Sequence, residues 1–222
     1  MFCLQHHFIK EEDSMHFIQV KNSKNLTQII RARRSIRKYT AESVTRNQLE
    51  AMIEAARHAP SAKNRQPWKY IVYTEKSKAE LLEVMEKALI KEQKEHVLLP
   101  KSAWALSDAF HTLEIMRNAP AVIIVMNPDG KSPYGQLDAD ERLAEISDSL
   151  SIGASIENML LKATELGLGS LWIANTCFAY NDLMEFINLP GQLIGAVAVG
   201  YADEKPNPRP RKEMREILEY KD

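Results

Sequence analysis

Arg31-Ala32-Arg33-Arg34-Ser35-Ile36-Arg37-Lys38-Tyr39 is the stretch from which the rest of the chain is read. It sets five cations in nine residues, with Ser35 among them. A guanidinium presents a rigid fork of N–H donors that matches a phosphate. The run therefore reads as an anion site, as a nuclear-localisation or nucleic-acid patch, or as a solvated charged face. The rest of the composition bears on that choice. Formal net charge over the 222 residues is -1, so the molecule is no general polyanion binder and the cluster is local. A local cluster suits a small anionic ligand better than a long nucleic acid.

Working outward, Leu26, Ile29, Ile30 and Arg33 follow the spacing of one helix face, and Asn25 with Gln28 resembles a capping pair at its start. The arginines then lie at the end of a short helix. A helix C-terminus carries partial negative charge, so the side chains themselves must supply the attraction for an anion. After the cluster, Thr45-Arg46-Asn47-Gln48 reads as a capping box, and Leu49, Met52, Ile53 and Ala56 form an apolar face that Ala59-Pro60 ends. The loop Ser61-Ala62-Lys63-Asn64-Arg65-Gln66-Pro67-Trp68 is dense in hydrogen-bonding groups, with amides that suit the edge of a heterocycle such as a flavin ring. Asn64 and Gln66 could equally serve to close the loop.

Residues 68–74 (WKYIVYT) read as a strand and residues 76–92 as a helix, while residues 93–118 show no regular pattern. Residues 121–126 after Pro120 form a continuous apolar run of strand length, which predicts a buried strand. Residues 127–135 are a turn-rich loop. The longest helix candidate, residues 141–166, is apolar over most of its circumference, which predicts burial in a core or an interface, and Gly167 stops it. A short strand at 170–174, a short helix at 181–187 and a strand at 193–201 follow, the last with two glycines that signal close backbone contact. Prolines at every second position then make residues 205–212 an extended arm carrying Arg209 and Arg211, followed by a short amphipathic turn at 214–218.

The chain has two cysteines, Cys3 and Cys177, too few for a disulfide framework or a metal set. Its six histidines show no zinc-binding spacing. His58 and His111 read as structural or solvent-facing, Cys177 as a small buried residue, and Trp68, Trp104 and Trp172 as core. No Ser-His-Asp candidate, Walker-type loop or dinucleotide-binding glycine motif is present. No apolar run reaches the roughly 20 residues of a membrane span, and the cysteine usage points to a reducing, cytoplasmic location. Residues 1–22 read as a flexible leader, with Met15 an alternative start, and residues 23–222 as a single domain.

Three polar clusters remain: residues 33–37, 61–66 and 209–211. If the two cationic ones meet they can close on one phosphate, at about 1.5–3 kcal/mol for each charge-assisted hydrogen bond; a solvated tail is the alternative for Arg209 and Arg211. In this order the pieces resemble the FMN-dependent nitroreductases. The resemblance is carried by Arg33-Arg34-Ser35-Ile36-Arg37, by residues 60–68, by Asn118-Ala119-Pro120 before an apolar strand, by residues 165–173, and by Val199-Gly200-Tyr201 with residues 209–212.

That resemblance implies an α+β fold with a mostly antiparallel sheet between helices, and an intertwined homodimer with FMN at the subunit interface. It implies that Arg33, Arg34, Ser35 and Arg37, with Arg209 and Arg211, hold the phosphate and ribityl chain. Ser61, Ala62, Lys63 and Asn64 match the loop that the partner brings to the flavin, and Ile173, Ala174 and Asn175 match the strand end beside its ring. The implied activity passes reducing equivalents from NADH or NADPH through FMN to nitroaromatic, quinone or similar small electrophilic acceptors, with no nucleic-acid or membrane partner and no catalytic acid or base assigned. The alternatives are a dedicated flavin reaction (dehalogenation or flavin fragmentation), FMN binding without turnover, or a nucleic-acid adaptor. The sequence departs from the family where Ala62 follows Ser61 in place of a second serine, where Ala174-Asn175 stands in place of a glycine, and throughout residues 93–118.

Overall fold

The computed structural model describes residues 25–221, so the leader expected at residues 1–22 lies outside the described residues. Four strands build the sheet: β1 (Lys69–Thr74), β2 (Ala121–Asn127), β3 (Gly169–Ile173) and β4 (Gln192–Gly200). Their order is β1-β2-β4-β3 and every neighbouring pair is antiparallel. This is the antiparallel α+β architecture expected from the sequence.

Alternation along the strands divides the core in two. Val122, Ile124 and Met126 of β2, with Leu193, Ala196 and Ala198 of β4, face α3 (Glu75–Glu95), α4 (Leu106–Asn118) and α6 (Tyr180–Ile187). Ala121, Ile123 and Val125 of β2, with Val197 and Val199 of β4, face α2 (Arg46–Arg57) and α5 (Ala139–Glu165). Helices on both faces explain why β2 is buried along its whole length and reads as an unbroken apolar run.

The helix boundaries follow local chemistry. α1 (Leu26–Ala32) and α2 both begin with complete capping boxes, Asn25 with Gln28 and Thr45 with Gln48. α5 ends at Gly167, whose φ of +78° continues no helix. Residues 93–118 correct the sequence expectation. They hold the last turn of α3, a 3-10 segment at Pro100–Ala105 and all of α4. The irregular impression came from residues 96–105, where His96 takes the left-handed region and Pro100 opens a bent 3-10 segment, so that no single helical repeat runs from α3 into α4. The buried carboxylate of Glu92 organises that bend by accepting hydrogen bonds from the backbone N–H groups of Val97, Leu98 and Leu99 at 3.0–3.1 Å. Trp104 is 79% exposed and Trp172 44% exposed, so neither is the core residue expected of it.

The segment after α1 lies along the outer edge of β3. Ser35 bridges Ser170 in parallel, and the Ile36 N–H donates to the Ser170 carbonyl at 3.0 Å. Gly169 permits this approach, because a Cβ there would stand 2.9 Å from the Ile36 side chain. Farther on, the Thr40 N–H donates to the Tyr201 carbonyl and the Asp203 N–H to the Lys38 carbonyl, both at 2.9 Å. The buried Tyr39 hydroxyl donates to the carbonyls of Ile36 at 2.8 Å and Ala198 at 3.3 Å. Residues 35–40 are thus held between β3 and the chain leaving β4. That pairing is what carries residues 205–212 back toward α1. Among the described residues no helix is long and apolar enough to cross a membrane.

Candidate functional site

The two cationic clusters meet. A cavity of about 520 Å³ is lined by Arg31, Arg33, Arg34 and Ser35 from the end of α1 and by Pro208, Arg209 and Arg211 from the C-terminal arm. Five guanidinium groups line this one cavity, a donor set suited to an anion whose attraction would come from side chains. The unfavourable helix C-terminus is answered locally. One guanidinium nitrogen of Arg34 (Nη1) donates to the carbonyls of Arg31 at 2.6 Å and Arg33 at 2.7 Å, capping the negative end of α1. Arg33 reaches Glu157 of α5 at 3.3 Å, a carboxylate that fixes its direction. Nothing in the sequence pattern singled out Glu157.

Arg37 does not line that cavity. It belongs to a second space of about 360 Å³, with Asp108, His111 and Thr112 of α4 and with Trp172, Ile173, Ala174 and Asn175 at the end of β3. The Asn175 amide donates to Thr112 Oγ1 at 2.8 Å, which ties the strand end to the helix. The Arg37 backbone N–H donates to Glu204, and its guanidinium donates to the Ser35 carbonyl at 3.2 Å. Cavity and groove are joined by residues 33–37. Four extended steps at about 3.3 Å each span roughly 13 Å, comparable with an extended sugar-alcohol phosphate.

Ser61, Ala62, Lys63 and Asn64 line neither space in their own chain. Their loop packs against α5, where the Ala62 N–H donates to Ser151 Oγ at 3.2 Å and Arg65 pairs with Asp148. Ser151 and Asp148 stand six and nine residues before Glu157. At about 1.5 Å and 100° per residue, they lie roughly 9–13 Å along α5 and a third to a half turn round it. Within one chain the structure therefore brings Arg33, Arg34, Ser35, Arg209 and Arg211 together, sets Arg37 with Ile173, Ala174 and Asn175, and leaves residues 61–64 apart. Lys63, Asn64 and Gln66 all have positive φ, of 53°, 55° and 51°. Each such residue costs on the order of 1 kcal/mol, and backbone of this kind gathers at ligand sites.

Asp108, His111 and Thr112 line this groove, and the sequence reading did not place them there. The signal was present, since Leu106, Ala109, Leu113 and Met116 repeat at helical spacing and are all buried. A helix read there would have put Asp108 and His111 on its exposed side, with Thr112 at the edge of the buried face.

An exposed apolar stripe runs along α5. Leu143, Ile146 and Leu150 are 66%, 51% and 72% exposed, and Trp172 lies across Gly153 beside them. The long helix is therefore core on one side and uncovered on the other.

Known proteins resemble this chain along most of its length. YfhC of Bacillus subtilis (strain 168), which carries a provisional NAD(P)H nitroreductase name, is 28% identical over 201 residues, covering 89% of this chain and 95% of its own. The iodotyrosine deiodinase of Thermotoga neapolitana is 26% identical over 201 residues, covering 89% of this chain and 98% of its own. A provisionally named nitroreductase from Desulfovibrio desulfuricans, solved in complex with FMN, superposes with a TM-score of 0.64 at 25% identity, covering 90% of this chain and 99% of that one. The family model for nitroreductases matches residues 30–201, from the last turns of α1 to the end of β4, and the chain belongs to the nitroreductase family.

Proposed function

We propose that this protein is an FMN-dependent oxidoreductase that takes reducing equivalents from NADH or NADPH and passes them to small electrophilic acceptors such as nitroaromatics and quinones. The observation that carries the reading is the convergence of Arg33 and Arg34 with Arg209 and Arg211 on one cavity, joined by residues 33–37 to the groove at the end of β3. The donor set fits the cofactor. Guanidinium groups and Ser35 match a phosphate, and Arg37, Thr112 and Asn175 supply hydrogen-bonding groups for the edge of a heterocycle.

FMN, when bound, supplies the hydride and electron chemistry. The chain's own residues do the rest. Arg33, Arg34, Arg209 and Arg211 hold the phosphate, with Ser35 beside them. Arg37 offsets negative charge at the ring end, and Ile173, Ala174 and Asn175 form a wall there.

The site is completed by a second copy. Lys63 and Asn64 are exposed and line neither space in their own chain, so in this reading a partner brings them to the flavin. The uncovered stripe of Leu143, Ile146 and Leu150 with Trp172 supplies an apolar surface for that homodimer. The deiodinase relative favours one narrower reading, a dedicated reductive dehalogenation at the same site.

Purified protein loaded with FMN is mixed anaerobically with NADH or NADPH and then with a panel of nitroaromatics, quinones and halophenols. Bleaching at the flavin band and its return with a nitroaromatic or quinone supports the reading. Return only with a halophenol favours the narrower one. Failure to bind FMN, or FMN that no donor reduces, contradicts both.

A further inference from the structure

We infer that His111 is the group that delivers a proton to the oxygen of the acceptor. This rests on the function proposed above. Reducing a quinone needs a hydride at one end of the conjugated system and a proton on oxygen. No acid is provided by the arginines of the cavity, since guanidinium does not release its proton in proteins. In the groove the charged or titratable side chains are Arg37, Asp108 and His111; β3 and the turn after it contribute Leu171 to Asn175, none of which titrates. Imidazole is the side chain suited to exchange protons near neutral pH, and it does so as a donor when charged.

Position supports the assignment. His111 stands one turn into α4 with its neighbour Thr112 tied to Asn175, so the helix is anchored to the strand end that forms the ring wall. His111 is exposed and lines the groove. It is therefore free to face an incoming acceptor.

The step balances as follows. FMN, held and reduced in this site, would supply the hydride, so that the quinone takes up two electrons and needs a proton for its oxygen. The imidazolium N–H gives its proton to the carbonyl oxygen, which becomes a hydroxyl, and solvent reprotonates the imidazole.

The test uses full-length, FMN-loaded protein and His111→Gln, which keeps a polar side chain of similar reach and loses the acid. Prereduced protein is mixed with menadione, which takes a hydride and a proton, and separately with ferricyanide, which takes one electron and no proton. The ratio of the two rates is expected to fall about 100-fold in His111→Gln, within the range that general acids contribute. A second readout involves no turnover. Affinity of the oxidised protein for 4-hydroxybenzoate, followed by perturbation of the flavin band, is expected to weaken about tenfold when the imidazolium is removed, the size of one charged hydrogen bond.

An unchanged rate ratio overturns the inference, even if 4-hydroxybenzoate binds more weakly, because His111 then recognises the ligand and donates nothing. Loss of FMN from His111→Gln alone also overturns it, by making the residue a cofactor ligand. Wild-type protein that takes up no FMN refutes the function proposed above, and that failure is separate from any behaviour of the variant.

Discussion

Arg33→Ala is the substitution whose consequence can be worked furthest. The Arg33 side chain is 21% exposed and stands 3.3 Å from Glu157, which is 45% exposed. Removing the guanidinium takes away one charge-assisted hydrogen bond to the phosphate, about 1.5–3 kcal/mol. It also leaves Glu157 beside the cavity with no cation between it and the phosphate. That carboxylate is half in solvent, so its repulsion adds about 1 kcal/mol at most. The sum, roughly 1.5–4 kcal/mol, weakens FMN binding by a factor of about 10 to 1,000. Riboflavin has the same ring and sugar chain without the phosphate, so its affinity changes little. Adding Glu157→Gln to Arg33→Ala removes the repulsion and recovers about fivefold of the FMN affinity. Fluorescence-quenching titrations of both flavins against the three proteins measure all of this. Equal loss for FMN and riboflavin, or no loss for FMN, refutes the phosphate assignment.

Gly169→Ala places a Cβ 2.9 Å from the branched Ile36 side chain, so residues 35–37 must move off the β3 edge. FMN affinity is expected to fall more than tenfold for a stability cost of about 1–3 kcal/mol, read by titration and by thermal melting. Glu92→Gln replaces a carboxylate that accepts from three backbone N–H groups with an amide that accepts at one oxygen. The expected cost is about 2 kcal/mol, a Tm drop of roughly 4–8 °C by calorimetry. Burial raises the Tyr70 phenol from 10.0 to about 12, against the opposing hydrogen bond with Ser155. The unfolded chain therefore releases this proton first, and stability present below pH 10 is lost as pH rises toward 12, by roughly 2–3 kcal/mol from this group. Burial shifts Tyr39 and Tyr134 in the same direction. Denaturant melts across that window check the slope, and Tyr70→Phe is expected to flatten it.

Much of this fold was legible because local signals were strong. Thr45 with Gln48, Asn25 with Gln28, and Gly167 each fix a helix end through their own hydrogen bonds or backbone freedom. The apolar run at residues 121–126 announced a strand covered on both faces, and β2 is that strand. α4 was harder to read because a bend at His96 and a 3-10 segment precede it, although Leu106, Ala109, Leu113 and Met116 keep helical spacing. Trp104 and Trp172 were misjudged because an aromatic residue reads as core from sequence whether or not its ring is covered within the chain.

For the candidate site, guanidinium clustering pointed to the arginines but not to how they are grouped in space. Only the pairing of residues 35–40 with β3 and with the chain after β4 shows that Arg33 joins Arg209 while Arg37 turns to the other space. Glu157 and Glu204 escaped notice because lone carboxylates in polar stretches give no pattern.

The central claim is tested most directly by a crystal structure of the protein grown with FMN. The account predicts the phosphate among Arg33, Arg34, Arg209 and Arg211 of one protomer, and the ring in the groove of Arg37 and Ala174 with residues 61–64 of the other protomer against it. FMN bound elsewhere, or bound in that groove with its phosphate away from both arginine clusters, contradicts it.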